Sequence, residues 1–258
     1  MENNSTSQLL PRSPTRLARR GFDLGWSLLF TIGAVGTAFV SSLTFGVFAV
    51  FEGLLDIHQR LVAPMVLMLL NLAVFVGVGA YVLVLLPFLA KRSLRELGIR
   101  TFGWAEIGIG VVGAIAMTFV VDGLAVLMEA ITHHHDTEGA IALLKELHTP
   151  AEAAIFIFMA AVLAPIVEEL AFRAFLFNAF RRYAPVWVAA LLSGILFGLA
   201  HAQSISQVLT VSIALAGGGT VLALVYSWSR CYWSNVITHA LFNAFPLVLF
   251  FVFHVKAP

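Results

Sequence analysis

The chain has 258 residues, 60% of them hydrophobic and 11% charged, where a globular chain has about 45–50% and about 25%. So few charges cannot clothe a water-facing surface, and a mean hydropathy of +0.95 excludes an ordinary soluble domain in favour of a polytopic membrane protein. The net charge of +1 gives no bulk electrostatic case for a nucleic-acid partner, and the single cysteine, Cys231, allows neither an intramolecular disulfide nor a Cys-rich zinc module.

A bilayer's hydrocarbon core needs about 20 apolar residues per helix. Leu24 to Phe51 and Val62 to Ala90 carry no Asp, Glu, Lys or Arg. A third run, roughly Trp104 to Ile131, is interrupted by Asp122, read as a structural or gating polar residue. A fourth, Ala151 to Phe180, contains Glu168, Glu169 and Arg173. Tyr183 to Ser229 has no formally charged side chain, enough for two crossings with a polar turn near Gln203 to Gln207, and Cys231 to Val255 supplies a last one. The runs are too long for barrel strands and do not alternate, so the expected fold is an all-α transmembrane bundle of about seven helices, within a range of six to eight.

Lys and Arg set the orientation. Arg12, Arg16, Arg19 and Arg20 precede the first run, Lys91, Arg92, Arg95 and Arg100 follow the second, Arg181 and Arg182 the fourth, and Arg230 the sixth. The alternate loops offer only Arg60 and Lys145. The N-terminus is therefore expected in the cytoplasm, and the first run reads as a retained anchor because it is too long for a cleavable signal. Lys91 to Trp104 is basic and amphipathic, which suits a segment on the inner membrane surface. His133, His134 and His135 occupy an outer loop; consecutive side chains do not share a helix face, and nothing nearby completes a ligand set, so they read as solvated.

Charges inside a membrane are costly, about 2.5–3.5 kcal/mol each on insertion scales. Three fall within APIVEELAFRAFLF, residues 164–177. Glu169 and Arg173, four apart, stack on one helix face and suit an ion pair. Glu168 points elsewhere without a sequence-local counter-charge, which makes it the candidate for chemistry; a purely structural polar cluster is the alternative. Two later runs each deliver a histidine on a matching spacing: Phe197 and His201 in LLSGILFGLAHAQ, and His239 and Asn243 in CYWSNVITHALFNAF. A lone intramembrane histidine is commonly a structural hydrogen-bonding residue, but two histidines and an unpaired Glu on three long helices permit hydrolysis without a covalent intermediate. Glu168 would take a proton from water held by His201, while His239 and Asn243 donate to the oxyanion. The same Glu, His and His also form a plausible zinc set.

At these residues the sequence resembles the CAAX-protease and bacteriocin-processing family, also called the abortive-infection family. Its ordered pattern of two Glu, three residues and Arg, then Phe, three residues and His, then His, three residues and Asn reads here as Glu168, Glu169 and Arg173, then Phe197 and His201, then His239 and Asn243. The likeness spans residues 151–250; Ala174 stands where the family commonly has Gly. The resemblance implies an intramembrane glutamic endopeptidase, with Glu168 and His201 activating water, His239 and Asn243 at the oxyanion, Glu169, Arg173 and Phe197 supporting the site, and no cofactor. It implies a membrane-associated protein or peptide substrate, lipidated or not, and a place in a bacterial plasma membrane; some members act in bacteriocin immunity or as regulatory partners. The expected organisation is a tail over residues 1–23, a three-helix region with its outer loop over 24–150, and a four-helix catalytic core over 151–255. Counted at 1.5 Å per residue from the inner surface, His239 lies about 10 Å deep, Glu168 nearly ~20 Å and His201 about 20 Å or slightly more, so convergence requires tilted helices or shifted ends.

Overall fold

The computed structural model describes residues 24–51, 64–85, 94–133, 143–202 and 204–252. The N-terminal arginines, Arg60, Lys91, Arg92, His134, His135 and Gln203 lie outside them. The described residues are helical, without strands, and seven apolar helices account for most of them. They are α1 (Leu24–Phe51), α2 (Pro64–Ala80, continued by a widened turn Tyr81–Leu85), α3 (Trp104–Thr132), α4 (Pro150–Arg181), α5 (Val186–Ala200), α6 (Val211–Ser229) and α7 (Tyr232–Phe251).

Six of the seven are long and apolar enough to cross a membrane. The exception is α5, with 15 residues, which reaches about 22 Å and falls short of a hydrocarbon core of about 30 Å. It starts after Pro185, whose ring fixes an extended entry, and stops at His201. The chain makes one short turn, Ile205–Leu209, before α6 turns back. The protein is an integral membrane protein whose many exposed Leu, Val, Ile and Phe side chains face lipid.

Glycines set how closely the helices approach. Gly194 and Gly198, one turn apart on α5, lie against the backbone of α6: a methyl at Gly194 would meet Ala216 O at 2.5 Å, and one at Gly198 would run into Ser212 O and sit 2.8 Å from Ala216 N. Small residues four apart permit this contact where lipid tails supply no hydrophobic drive between helices. α3 packs on α6 and α7 in the same manner, with Gly110 under Ile237 and Gly218 under Met117 and Val121; Thr238 Oγ1 donates to Gly110 O at 3.1 Å. Gly198→Val is therefore expected to wedge α5 from α6 and destabilise the protein by about 1–3 kcal/mol. Gly123→Val, which meets nothing within 4 Å, is expected to be near neutral. Thermal unfolding of the two variants in one detergent compares them, and equal midpoints would contradict the close approach.

Residues 94–98, within the basic segment after α2, are tied to the bundle, while Arg95 and residues 100–104 stay exposed. A 3₁₀ turn, Leu94–Leu97, buries Leu97, and Gly98 follows at φ +75°. Leu97 O accepts from Tyr226 Oη at 2.9 Å and Gly98 O from Tyr232 N at 3.0 Å. Arg100 pairs with Glu106 at 3.0 Å and reaches Ser229 O. Asp122 sits on the exposed face of α3, and His133 ends that helix in the left-handed region.

Candidate active site

The site is built on α4, whose entry is a capping box: Thr149 accepts from Glu152 N, and Glu152 turns back to Thr149 N. Further along, Pro165 has no N–H to give the preceding turn. The backbone widens there to an i→i+5 pattern, with Ala164 N–H on Met159 O. A second widened stretch, Leu170–Phe177, begins immediately after Glu169. Such turns free carbonyls that other groups must satisfy. Asn243 of α7 does so, its Nδ2 donating to Ala160 O at 2.8 Å.

Glu169 is fully buried, as is Arg173. Its Oε1 accepts from Arg173 NH1 at 2.9 Å and faces His239 Nδ1 at 2.8 Å; its Oε2 accepts from Asn235 Nδ2. A carboxylate paired with a guanidinium is an acceptor, so the proton of that imidazole contact lies on Nδ1. Arg173 also donates to Gly219 O at 3.1 Å, and its Cζ stands 4.5 Å from the centre of the Phe197 ring. Gly219 itself lies against α5, where a Cβ would meet Gly194 Cα at 2.9 Å and the Phe197 side chain at 3.0 Å.

His201 is fixed by a different acceptor. Its Nδ1 is 2.8 Å from Phe197 O, and since a carbonyl only accepts, the Nδ1 carries the hydrogen. In both histidines the remaining nitrogen, Nε2, faces one atom: Glu168 Oε2 is 3.8 Å from His201 Nε2 and 3.9 Å from His239 Nε2. These gaps exceed a direct hydrogen bond. With both imidazoles neutral and Glu168 ionised, three acceptors converge without a donor among them, so the arrangement calls for a proton, a water or a cation between them. Phe197 fills the space beneath, its ring 4.6 Å from the His201 ring and 5.7 Å from that of His239. Exposure separates the two ends: the side chains of Glu168 and His201 are 18% and 22% exposed, that of His239 only 4%. The site thus opens at Glu168 and His201 and is sealed behind His239.

The structure brings Glu168, Glu169, Arg173, Phe197, His201 and His239 together. Asn243 lies one turn beyond His239, with one amide hydrogen committed to Ala160 O. The unequal depths counted along the sequence are reconciled mainly by α7. Its first residue, Tyr232, sends its hydroxyl to Ile166 O at 2.5 Å, beside the middle of α4 rather than its end, because the Leu94–Gly98 turn occupies the space beneath. Sequence spacing linked Glu169 only to Arg173 and overlooked its grip on His239. It also overlooked Asn235, although Asn235, His239 and Asn243 repeat every four residues and so share a face.

These features define a polytopic helical membrane protein with a Glu–His–His site inside the bundle. Residues 150–245 match the family model described as "Type II CAAX prenyl endopeptidase Rce1-like". The chain is also 24% identical over 180 residues, 68% of each chain, to a protein of Bacillus subtilis (strain 168) named "Putative membrane peptidase YdiL". No solved structure matches. Both matches fall on the residues that carry the site, and over that region the chain is similar to membrane peptidases of the CAAX prenyl endopeptidase type.

Proposed function

We propose that the protein is an intramembrane glutamic endopeptidase that hydrolyses a peptide bond of a membrane-associated protein or peptide. The observation that carries this reading is the convergence of both Nε2 atoms on Glu168 Oε2, at 3.8 and 3.9 Å, while each Nδ1 is tied elsewhere. A water held by Glu168 and His201 loses a proton to them and adds to the scissile carbonyl carbon. The oxyanion accepts hydrogen bonds from His239, acting as an imidazolium that holds a second proton on Nε2 throughout the cycle beside ionised Glu169, and from the amide hydrogen of Asn243 not used by Ala160 O. Collapse breaks the C–N bond, and the proton taken from water passes to the leaving amine. Glu169 and Arg173 hold His239 and the helix packing, and Phe197 backs both imidazoles.

The test compares protein termini in membrane and secreted fractions of wild-type and Glu168→Ala cells. Uncut termini specific to the variant would identify the substrate and its scissile bond, and show whether it is lipidated; identical termini would refute the reading. The bacterial plasma membrane and a cytoplasmic N-terminus belong to the same proposal, supported by Arg100 lying beside Ser229 and Arg230 at the end from which α7 starts.

Zinc-dependent hydrolysis by the same residues is a second mechanism, because Glu168, His201 and His239 supply an O, N, N donor set and both Nδ1–H groups are oriented as in metal-bound histidines. We propose the metal-free route. Purified protein is expected to keep full cleavage in a strong chelator, and stoichiometric zinc whose removal abolishes cleavage would overturn that. A non-catalytic scaffold, bacteriocin-immunity or regulatory role is favoured by the buried Glu169 cluster, which ties α4 to α6 and α7 whether or not Glu168 is catalytic. That role predicts an unchanged cellular phenotype in Glu168→Gln and His201→Ala, whereas the enzyme predicts its loss.

A further inference from the structure

We infer that Asn235 is a positioning residue for His239, acting through the Glu169 carboxylate; the inference rests on the endopeptidase reading above. Asn235 lies one helical turn before His239 on α7, fully buried, and donates from Nδ2 to Glu169 Oε2. Arg173 and His239 both use the other oxygen, Oε1. A carboxylate is planar and rotates easily about its terminal bond, so two donors on one oxygen leave the group free to swing. A third donor on the second oxygen stops it.

Without that donor, Oε2 becomes a buried anionic oxygen lacking a partner, and the favourable response is to turn both oxygens toward the Arg173 fork. Oε1 then leaves His239 Nδ1, the imidazole tilts, and Nε2 departs from its place 3.9 Å from Glu168 Oε2. Small displacements of this kind act on rate rather than on substrate binding. Asn235 also shows that it is held for its donor side: its Oδ1 is buried without a hydrogen-bond partner. A residue serving packing alone would be better replaced by leucine, which has a similar volume and leaves no unpaired oxygen.

The experiment uses the full-length protein in bilayers and a quenched peptide spanning the scissile bond found by the termini comparison. Asn235→Leu and Asn235→Ala are assayed alone and on a His239→Ala background, with thermal unfolding measured alongside. The expected result is a fall in kcat of about 10–100-fold, with KM within about twofold and no further loss when either change is added to His239→Ala. A folded variant with unchanged kcat, an equal further loss on the His239→Ala background, or failure of both variants to fold would each overturn the inference. Cleavage at the wild-type rate by Glu168→Ala and His239→Ala would instead overturn the endopeptidase reading, which stands if those two keep only a measurable residual rate and Asn235→Leu is fully active.

Discussion

Glu168→Gln is expected to lower the rate of substrate cleavage by at least about 10²–10⁴-fold while leaving the fold intact. The amide keeps the size of the carboxylate but cannot accept a proton from water, and it places either an N–H or an oxygen where two imidazole acceptors converge. Stability should hardly change, because the Glu168 side chain is 18% exposed and makes no ion pair with Arg or Lys among the described residues. Cleavage of the quenched peptide and thermal unfolding in the same detergent measure the two effects separately. A Glu168→Gln protein that cleaves at the wild-type rate removes the general base from the scheme; one that unfolds with its activity makes Glu168 structural.

The second large effect is on stability. Arg173→Met is expected to cost about 3–5 kcal/mol, because the partner it abandons is a fully buried carboxylate. Glu169→Gln should cost a similar amount, leaving a buried guanidinium without its anionic partner, beside Gly219 O and the Phe172 and Phe197 faces. The double variant is expected to be more stable than either single one: it buries no net charge, and the Gln oxygen can still accept from His239 Nδ1. Unfolding of the four proteins closes a double-mutant cycle. Additive losses would show that the pair is not coupled and that Arg173 is kept for packing alone. Because Glu169 also orients His239, cleavage by Glu169→Gln should fall while its KM holds, in contrast to Gly198→Val, whose loss should track unfolding.

Much of the bundle could be read from the sequence, because apolar run length is a local quantity that the bilayer reads directly. The charge-free run from Leu24 is the first helix, residue for residue. The Glu169–Arg173 pair was legible for a similar reason, since residues four apart are neighbours on any helix. The turn after α5 was legible near Gln203 to Gln207, but the run was read as a full crossing, and only the structure shows that the helix keeps 15 residues between Pro185 and His201.

What the sequence by itself determined is the set of helices, the polar residues each one carries and the face on which they lie. What only the tertiary structure decided is the relation between helices: that Glu169 takes His239 as well as Arg173, that both Nε2 atoms meet at one oxygen of Glu168, that Asn235 completes the Glu169 shell, and that Asn243 catches the Ala160 carbonyl. Periodicity fixes rotation about one helix axis and rise along it, but carries no information on how far one helix is shifted against another. That shift is set by glycine contacts on α3, α5 and α6, by the proline that widens α4, and by the Leu94–Gly98 turn that makes α7 start beside Ile166.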